Sequence, residues 1–587
     1  MDDTGVAGPP EGEVPAAEGG GSRLDPWVLR VAFILAVLPL VASAIAMLVA
    51  HRGYTPTGDL ALTEMLTRDV GQRWLELGPY SRDGWFHPGP AMFYLLAGPY
   101  RLTGGQSVGM NVAALAVNAT AIAGMAFIAR RRGPVLALLT LVGCALLIRS
   151  LGVDPVRLPW NPWVTVLPYG LLVFLTVAMA WGDRWALPVA VAVASFLGQT
   201  HIGYVALATP LVVIGAVWLL VVTPTGTRRK LVLPGFLAAL VGALMWLPPV
   251  LQQVTNTPGN LGVVVRWFGD GGPNEEKPQT LRAGWRIVSS QFGATPEWLF
   301  GSRGTIMTAE PTSMYKPLLP ILLLVVAGAI VVLWRRRVPG SPQMVLVWLA
   351  ASVIGVLATA RTVGPIFAYR VGWAWLLGML GIVLVAWAGW RALTDWRPAL
   401  ERRLQVPLAL VALVVMAVVN SVAHVRAGEP HEVSSHRVRE LVPQVVEALP
   451  PGDGEIIVDG PGFLASGLAS GVVLELEKKG YDARVPTGNF AYGPSRTEGD
   501  GPFRARYTVA VDGEILQAEK YPGMELVAYD GDFSLAELRR RAPATDALMD
   551  VYEGADPSVM AEFGPNPKFI STNSAVAIFA ETEPTPP

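Results

Sequence analysis

Several polar side chains in this sequence occupy positions where apolar neighbours make them costly unless they do something. The stretch G-Y-T-P-T-G-D-L-A-L-T-E-M places Asp59 just after a long apolar run, with Glu64 five residues on. A carboxylate there can take a proton from an attacking hydroxyl, or hold a cation that neutralises a phosphate leaving group. It can equally cap the helix that follows it. Glu64 lies roughly 140° around a helix from Asp59, so the pair need not share a site. G-W-F-H-P-G-P sets His87 at the entry to another apolar stretch, and R-L-P-W-N-P-W holds Asn161 between tryptophans and prolines. Such a rigid aromatic turn with an amide suits a sugar-binding rim, although interfacial tryptophans also serve as plain anchors. F-L-G-Q-T-H-I-G-Y puts Gln199 and His201 at the end of a short apolar run, either facing a cavity or bonded between helices. Among the arginines Arg266, Arg282, Arg286, Arg361 and Arg370, the last, within F-A-Y-R-V-G-W, is best placed to grip a phosphate in bidentate fashion.

The elements that must position these groups are membrane helices. The chain has 587 residues, of which 52% are hydrophobic and 16% charged, and a mean hydropathy of +0.42; soluble domains lie far from these values. About eleven apolar runs approach the length needed to cross a bilayer. They cover roughly residues 27–50, 107–129, 134–151, 163–181, 185–200, 203–222, 231–250, 317–334, 344–360, 366–390 and 406–424. Basic clusters at Arg130–Arg132, Arg228–Lys230, Arg335–Arg337 and Arg391–Arg403 fall between alternate runs. Short loops carrying such clusters stay in the cytoplasm, which puts the amino terminus inside and residues 425–587 outside. Residues 1–26 read as a disordered cytoplasmic segment, 27–424 as the membrane domain, and 51–106 and 251–316 as its outer loops. In the first outer loop, Leu62, Leu66, Val70, Trp74 and Leu77 predict an amphipathic helix lying on the membrane. Pro88–Leu102 predicts an interfacial or re-entrant helix too short to span. The second outer loop predicts a functional lid or a disordered segment.

The carboxy-terminal part reads as an α/β domain, with helices at 436–449 and 464–480 and strands at 455–459, 483–486, 506–511 and 524–529. Its D-G-P-G-F-L-A fits G-x-G-x-x-A, a weak dinucleotide signal better read as an ordinary strand-to-helix turn. A lone cysteine, Cys144, gives no basis for disulfides, structural zinc or thiol catalysis. A net charge of −1 without long charged tracts gives none for a nucleic-acid partner.

In their order and spacing, Asp59, the His87–Pro90 turn, Trp160-Asn161-Pro162 and Gln199-x-His201 resemble the GT-C superfamily over roughly residues 27–424. The likeness is to glycosyltransferase 39-like membrane enzymes related to protein O-mannosyltransferases and lipid A aminoarabinose transferases. It implies an α-helical polytopic fold of about eleven transmembrane helices with an extracytoplasmic α/β domain, a polyprenyl-phosphate sugar donor, and a glycan, lipid or protein acceptor. It also implies Asp59 as catalytic base; Glu64, His87, Asn161, Gln199, His201 and Arg370 are the side chains expected around the substrate. A divalent cation is compatible with that chemistry. Many relatives pair two acids at the first-loop site, whereas Leu60 follows Asp59 here. The rival from another class is a transporter or lipid flippase with an external accessory domain.

Overall fold

The structure is a computed structural model and describes residues 26–270, 277–301, 320–364, 366–499, 503–540 and 575–581. The segment read as disordered, 1–26, lies outside these residues but for its last position. Among the described residues, eight helices are long and apolar enough to cross a membrane, from α1 (Pro26–Ala50) to Val406–Arg426. Val166–Ala180, Ala186–Thr200 and Ile321–Arg335 are apolar but shorter. Together they fall on the runs expected to span. Their inward faces bury Leu40, Leu147, Tyr169 and Leu376, while Ile34, Ile45, Leu244, Val353 and Val418 point outward and stay exposed. A surface of branched aliphatics is unstable against water and favourable against lipid, so the protein is multi-pass.

The basic clusters meet at one end of the bundle. Arg131 pairs with Asp183 and Arg336 with Asp395, while the Arg132 guanidinium lies 4.7 Å from the Trp181 ring. The opposite end carries α2 (Asp59–Asp69), a small hairpin of β1 (Tyr80–Ser81) and β2 (Trp85–Phe86), and α3 (Ala91–Leu102). With 12 residues, α3 is about 18 Å long and cannot cross. It packs on Val108–Ala129 and α2, as a non-spanning helix should.

The helix expected to lie on the membrane is different. It stops at Asp69, before Trp74 and Leu77. Leu62 and Met65 enter a second apolar core with Val438, Leu468, Val472 and Val458 of the carboxy-terminal unit. Protein rather than lipid covers the stripe: Leu62 packs on the carboxy-terminal unit, while Leu66 and Val70 pack with the core of the membrane helices. In the second outer loop, expected to be a functional lid or a disordered segment, the described residues form the helices Asn260–Asp270, Leu281–Ser290 and Glu297–Phe300. Trp298 of the last is fully buried and lies against Gly378.

The carboxy-terminal unit is a five-stranded sheet of order β4-β3-β5-β7-β6, with β3 (Glu455–Asp459), β4 (Ala483–Arg484), β5 (Phe503–Val511), β6 (Met524–Gly531) and β7 (Ala575–Glu581). β3 runs parallel to β4 and β5, and β7 is antiparallel to both its neighbours. Helices Glu432–Glu447 and Phe463–Lys478 cover the sheet. The sequence reading missed β7, whose A-V-A-I-F run is buried on both faces and so lacks the alternation that marks a strand. D-G-P-G-F-L-A is the turn from β3 into Phe463–Lys478, as expected.

Candidate active site

Asp59 is the first residue of α2, and the chain reaches it through Gly58, at φ 58° and ψ −138°. That region is open to glycine alone, so the turn from α1 into α2 depends on it. The Tyr80 hydroxyl donates to Asp59 Oδ1 and the Trp160 indole N–H to Oδ2, each at 2.7 Å. One donor comes from the hairpin and the other from the W-N-P turn. They fix the plane of the carboxylate and leave each oxygen a further lone pair for a ligand. Trp160 is held in turn, edge-on against Trp163 at 4.7 Å and tilted against Tyr369 at 4.8 Å.

Asp59 opens onto a cavity of about 710 Å³, which His87, Asn161, His201 and Arg370 also line. The structure therefore gathers five of the seven residues singled out from the sequence. Arg82, Asp83, Trp85, Trp267, Arg361 and Phe463 line it too. The Arg82 guanidinium lies 4.4 Å from the centre of the Phe367 ring and donates to the Tyr369 hydroxyl at 2.9 Å. Arg370 lies 5.5 Å from the same ring. Among the described residues Arg82, Arg361 and Arg370 form no ion pair with a carboxylate. Arg266, Arg282 and Arg286 are not among the lining residues.

Glu64 and Gln199, expected to contact substrate, do not line this cavity. Glu64 is 0% exposed and accepts from the Tyr100 hydroxyl at 2.9 Å and the Lys478 ammonium at 2.8 Å. It points into the junction with the carboxy-terminal unit because it lies on another face of α2 from Asp59. Gln199 is buried; its side-chain amide donates to the Met245 carbonyl at 2.8 Å, while its backbone carbonyl accepts from Gly89 N–H at 3.4 Å. A Cβ on Gly89 would stand 2.4 Å from Gln199 Oε1. Gln199 is thus a strut between the helix Ala186–Thr200, Val232–Thr255 and the turn that carries His87.

His87 is buried, its ring centre 4.7 Å from that of His201. Its Nδ1 accepts from the Ile202 N–H at 3.1 Å, which requires that nitrogen to be unprotonated. Burial first, then the neighbouring His201 and Arg370, push its pKa well below the usual imidazole value. The unfolded chain takes up the proton near pH 6.5, so below that value it binds more protons than the folded one. Stability contributed by neutral His87 is complete above about pH 6.5 and falls as pH drops towards its lowered folded value, by up to about 1.4 kcal/mol per unit. The thermal midpoint of detergent-solubilised protein should therefore fall between pH 7 and pH 5 more steeply than that of His87→Gln. Equal slopes would contradict it.

Among the described residues, Asp59 stands without a cluster of further metal-ligating side chains. Its oxygens already face N–H and O–H donors, and among the described residues no group of three or more His, Cys, Asp or Glu side chains could hold an ion. Sequence reasoning missed Tyr80, Arg82 and Phe463. The signal available for Arg82 was its place in the aromatic Y-S-R-D-G-W-F loop; Phe463 reaches the cavity only through the fold of the carboxy-terminal unit.

No protein-family model and no curated protein matches this sequence. Among solved structures it is similar to ArnT from Cupriavidus metallidurans bound to undecaprenyl phosphate, at 15% identity over 86% of this chain and 96% of that one, with a TM-score of 0.51. It is also similar to the archaeal oligosaccharyltransferase AglB from Archaeoglobus fulgidus in complex with an inhibitory peptide and a dolichol-phosphate, at 12% identity over 86% of this chain and 73% of that one, with a TM-score of 0.40. The first likeness shows the fold. The chain shares the fold of that ArnT structure, a mostly helical membrane region with a carboxy-terminal sheet-containing unit, as expected from the sequence.

Proposed function

We propose that this chain is a membrane glycosyltransferase of the GT-C type, which moves a sugar from a polyprenyl-phosphate donor to a hydroxyl of an extracytoplasmic glycan, lipid or protein acceptor; its fold likeness to ArnT supports the reading. The observation that carries the reading is one cavity holding a fixed carboxylate, Asp59, together with Arg82, Arg361 and Arg370, which form no ion pair with a carboxylate among the described residues. Asp59 takes the proton of the acceptor hydroxyl as its oxygen attacks the anomeric carbon. The bond from that carbon to the phosphate oxygen breaks, and polyprenyl phosphate leaves with both bonding electrons. A single displacement of this kind inverts the anomeric centre, whether the sugar is a hexose or a pentose. Catalysis then consists of holding the reactants in line and stabilising the charge that builds on the phosphate. In this reading His87, Asn161 and His201 shape the sugar pocket, and Arg370 with Arg82 and Arg361 binds the phosphate.

The sidedness follows from the same assignment. The basic clusters mark the cytoplasmic end, which puts the amino terminus inside and the cavity with the carboxy-terminal unit outside. The units are then 1–26, 27–424 and 425–587, as read from the sequence. Protein reconstituted into liposomes with sugar-labelled polyprenyl-phosphate donors tests the reading. Release of polyprenyl phosphate with the label passed to another molecule is expected. Movement of intact donor across the bilayer without cleavage would overturn it in favour of lipid translocation.

A further inference from the structure

The helix bearing Asp59 is fastened along its whole length to the carboxy-terminal unit. At its amino end, Gly58 N–H donates to the Gly467 carbonyl at 2.8 Å, and Gly471 lies so close that a Cβ would stand 3.1 Å from the Pro56 carbonyl oxygen and 3.0 Å from Thr57. Midway, Glu64 pairs with Lys478. At its carboxy end Asp69 receives Arg496 on both oxygens, at 2.8 and 3.0 Å. The same guanidinium reaches the Met65 carbonyl at 3.2 Å and both oxygens of Glu477, at 2.6 and 3.3 Å. Its side chain is 6% exposed, so these partners replace the water it has lost.

Tyr80, which holds Asp59 Oδ1, also backs onto this unit, its ring centre 6.4 Å from that of Phe490. The other bond to Asp59, from Trp160, comes from the W-N-P turn between membrane helices. We infer that the carboxy-terminal unit sets the position of the Asp59 carboxylate, with Arg496 as the positioning residue that locks α2 onto the helix Phe463–Lys478. The inference rests on the proposed transfer reaction. Arg496 is not among the residues lining the cavity; it acts through α2, because a buried guanidinium bound to two helices, α2 and Phe463–Lys478, admits one arrangement of them. Loss of its fork frees the far end of α2, and a shift of about 1 Å at a reacting group lowers a rate by about a hundredfold.

The test uses the full chain in nanodiscs with labelled polyprenyl-phosphate sugar. Arg496→Leu is expected to lower kcat for polyprenyl phosphate release by about a hundredfold, with the donor KM within about twofold of wild type because the arginines of the cavity are untouched. Arg496→Lys, which keeps the charge without the fork, should recover part of the rate. Gly471→Val acts at the other end of α2 and should also lower kcat more than KM. Should Arg496→Leu fail to fold, Arg496→Lys and Gly471→Val carry the comparison. Rates equal to wild type in folded variants, or losses confined to KM, overturn the inference and leave the transfer reading standing. A wild-type protein that releases no polyprenyl phosphate overturns both.

Discussion

Asp59→Asn should lower kcat for release of polyprenyl phosphate by about 10²- to 10⁴-fold, the range over which a positioned base contributes, while the protein still folds and inserts. The geometry explains why the two effects separate. An asparagine oxygen can keep the bond from the Trp160 N–H, and its amide can donate to the Tyr80 hydroxyl, which accepts as readily as it donates. The shape of the site is therefore preserved and only the proton acceptor is lost. Single-turnover release of labelled polyprenyl phosphate and the thermal midpoint, measured on one preparation, read the two separately. A variant with wild-type kcat would remove the carboxylate from the chemistry.

Loss of the paired guanidinium groups should be felt in donor recognition. Arg82 and Arg370 both lie against Phe367, whose ring stacks on that of Tyr369 at 5.6 Å and 13°. Like charges gathered on an aromatic platform repel until an anion arrives, and the arriving phosphate takes hydrogen bonds worth about 1.5–3 kcal/mol each. Arg82→Ala combined with Arg370→Ala should thus reduce kcat/KM for the donor by about 10²- to 10⁴-fold. The lysine double variant should recover less than half of that loss in free energy, because an ammonium keeps the charge but not the bidentate fork. Donor titrations at fixed acceptor would show it. An unchanged KM and kcat in the alanine double variant would exclude these side chains from phosphate binding.

Much of this arrangement could be read from the sequence, because membranes impose simple rules. Long apolar runs and basic clusters located the helices, and polar residues at the ends of apolar runs, such as Asp59, His87, Asn161 and His201, had reason to face a cavity. Those rules do not distinguish a cavity from a contact with another folded unit. Glu64 and Gln199 satisfy them by pairing with Lys478 and the Met245 carbonyl. The apolar stripe of α2 predicted a helix lying on the membrane, and only the fold could say that Leu62 would instead meet Leu468 and Val472 while Val70 joined the core of the membrane helices. Tyr80 and Arg82 gained their significance from partners far along the chain, Asp59 and Tyr369, and no local pattern encodes such pairings. The helices within 251–316 were hidden by glycines, prolines and tryptophans, which suit a loop unless tertiary contacts such as that of Trp298 with Gly378 override them.

The central claim is that the phosphate of a polyprenyl lipid and the Asp59 carboxylate occupy one chamber. A cryo-EM map of the protein in nanodiscs with added polyprenyl phosphate tests this most directly. The account predicts phosphate density within about 3 Å of the Arg370 or Arg82 guanidinium, on the wall of the cavity that Asp59 shares. Phosphate density only at the far end of the bundle, beside Arg130–Arg132, would contradict it.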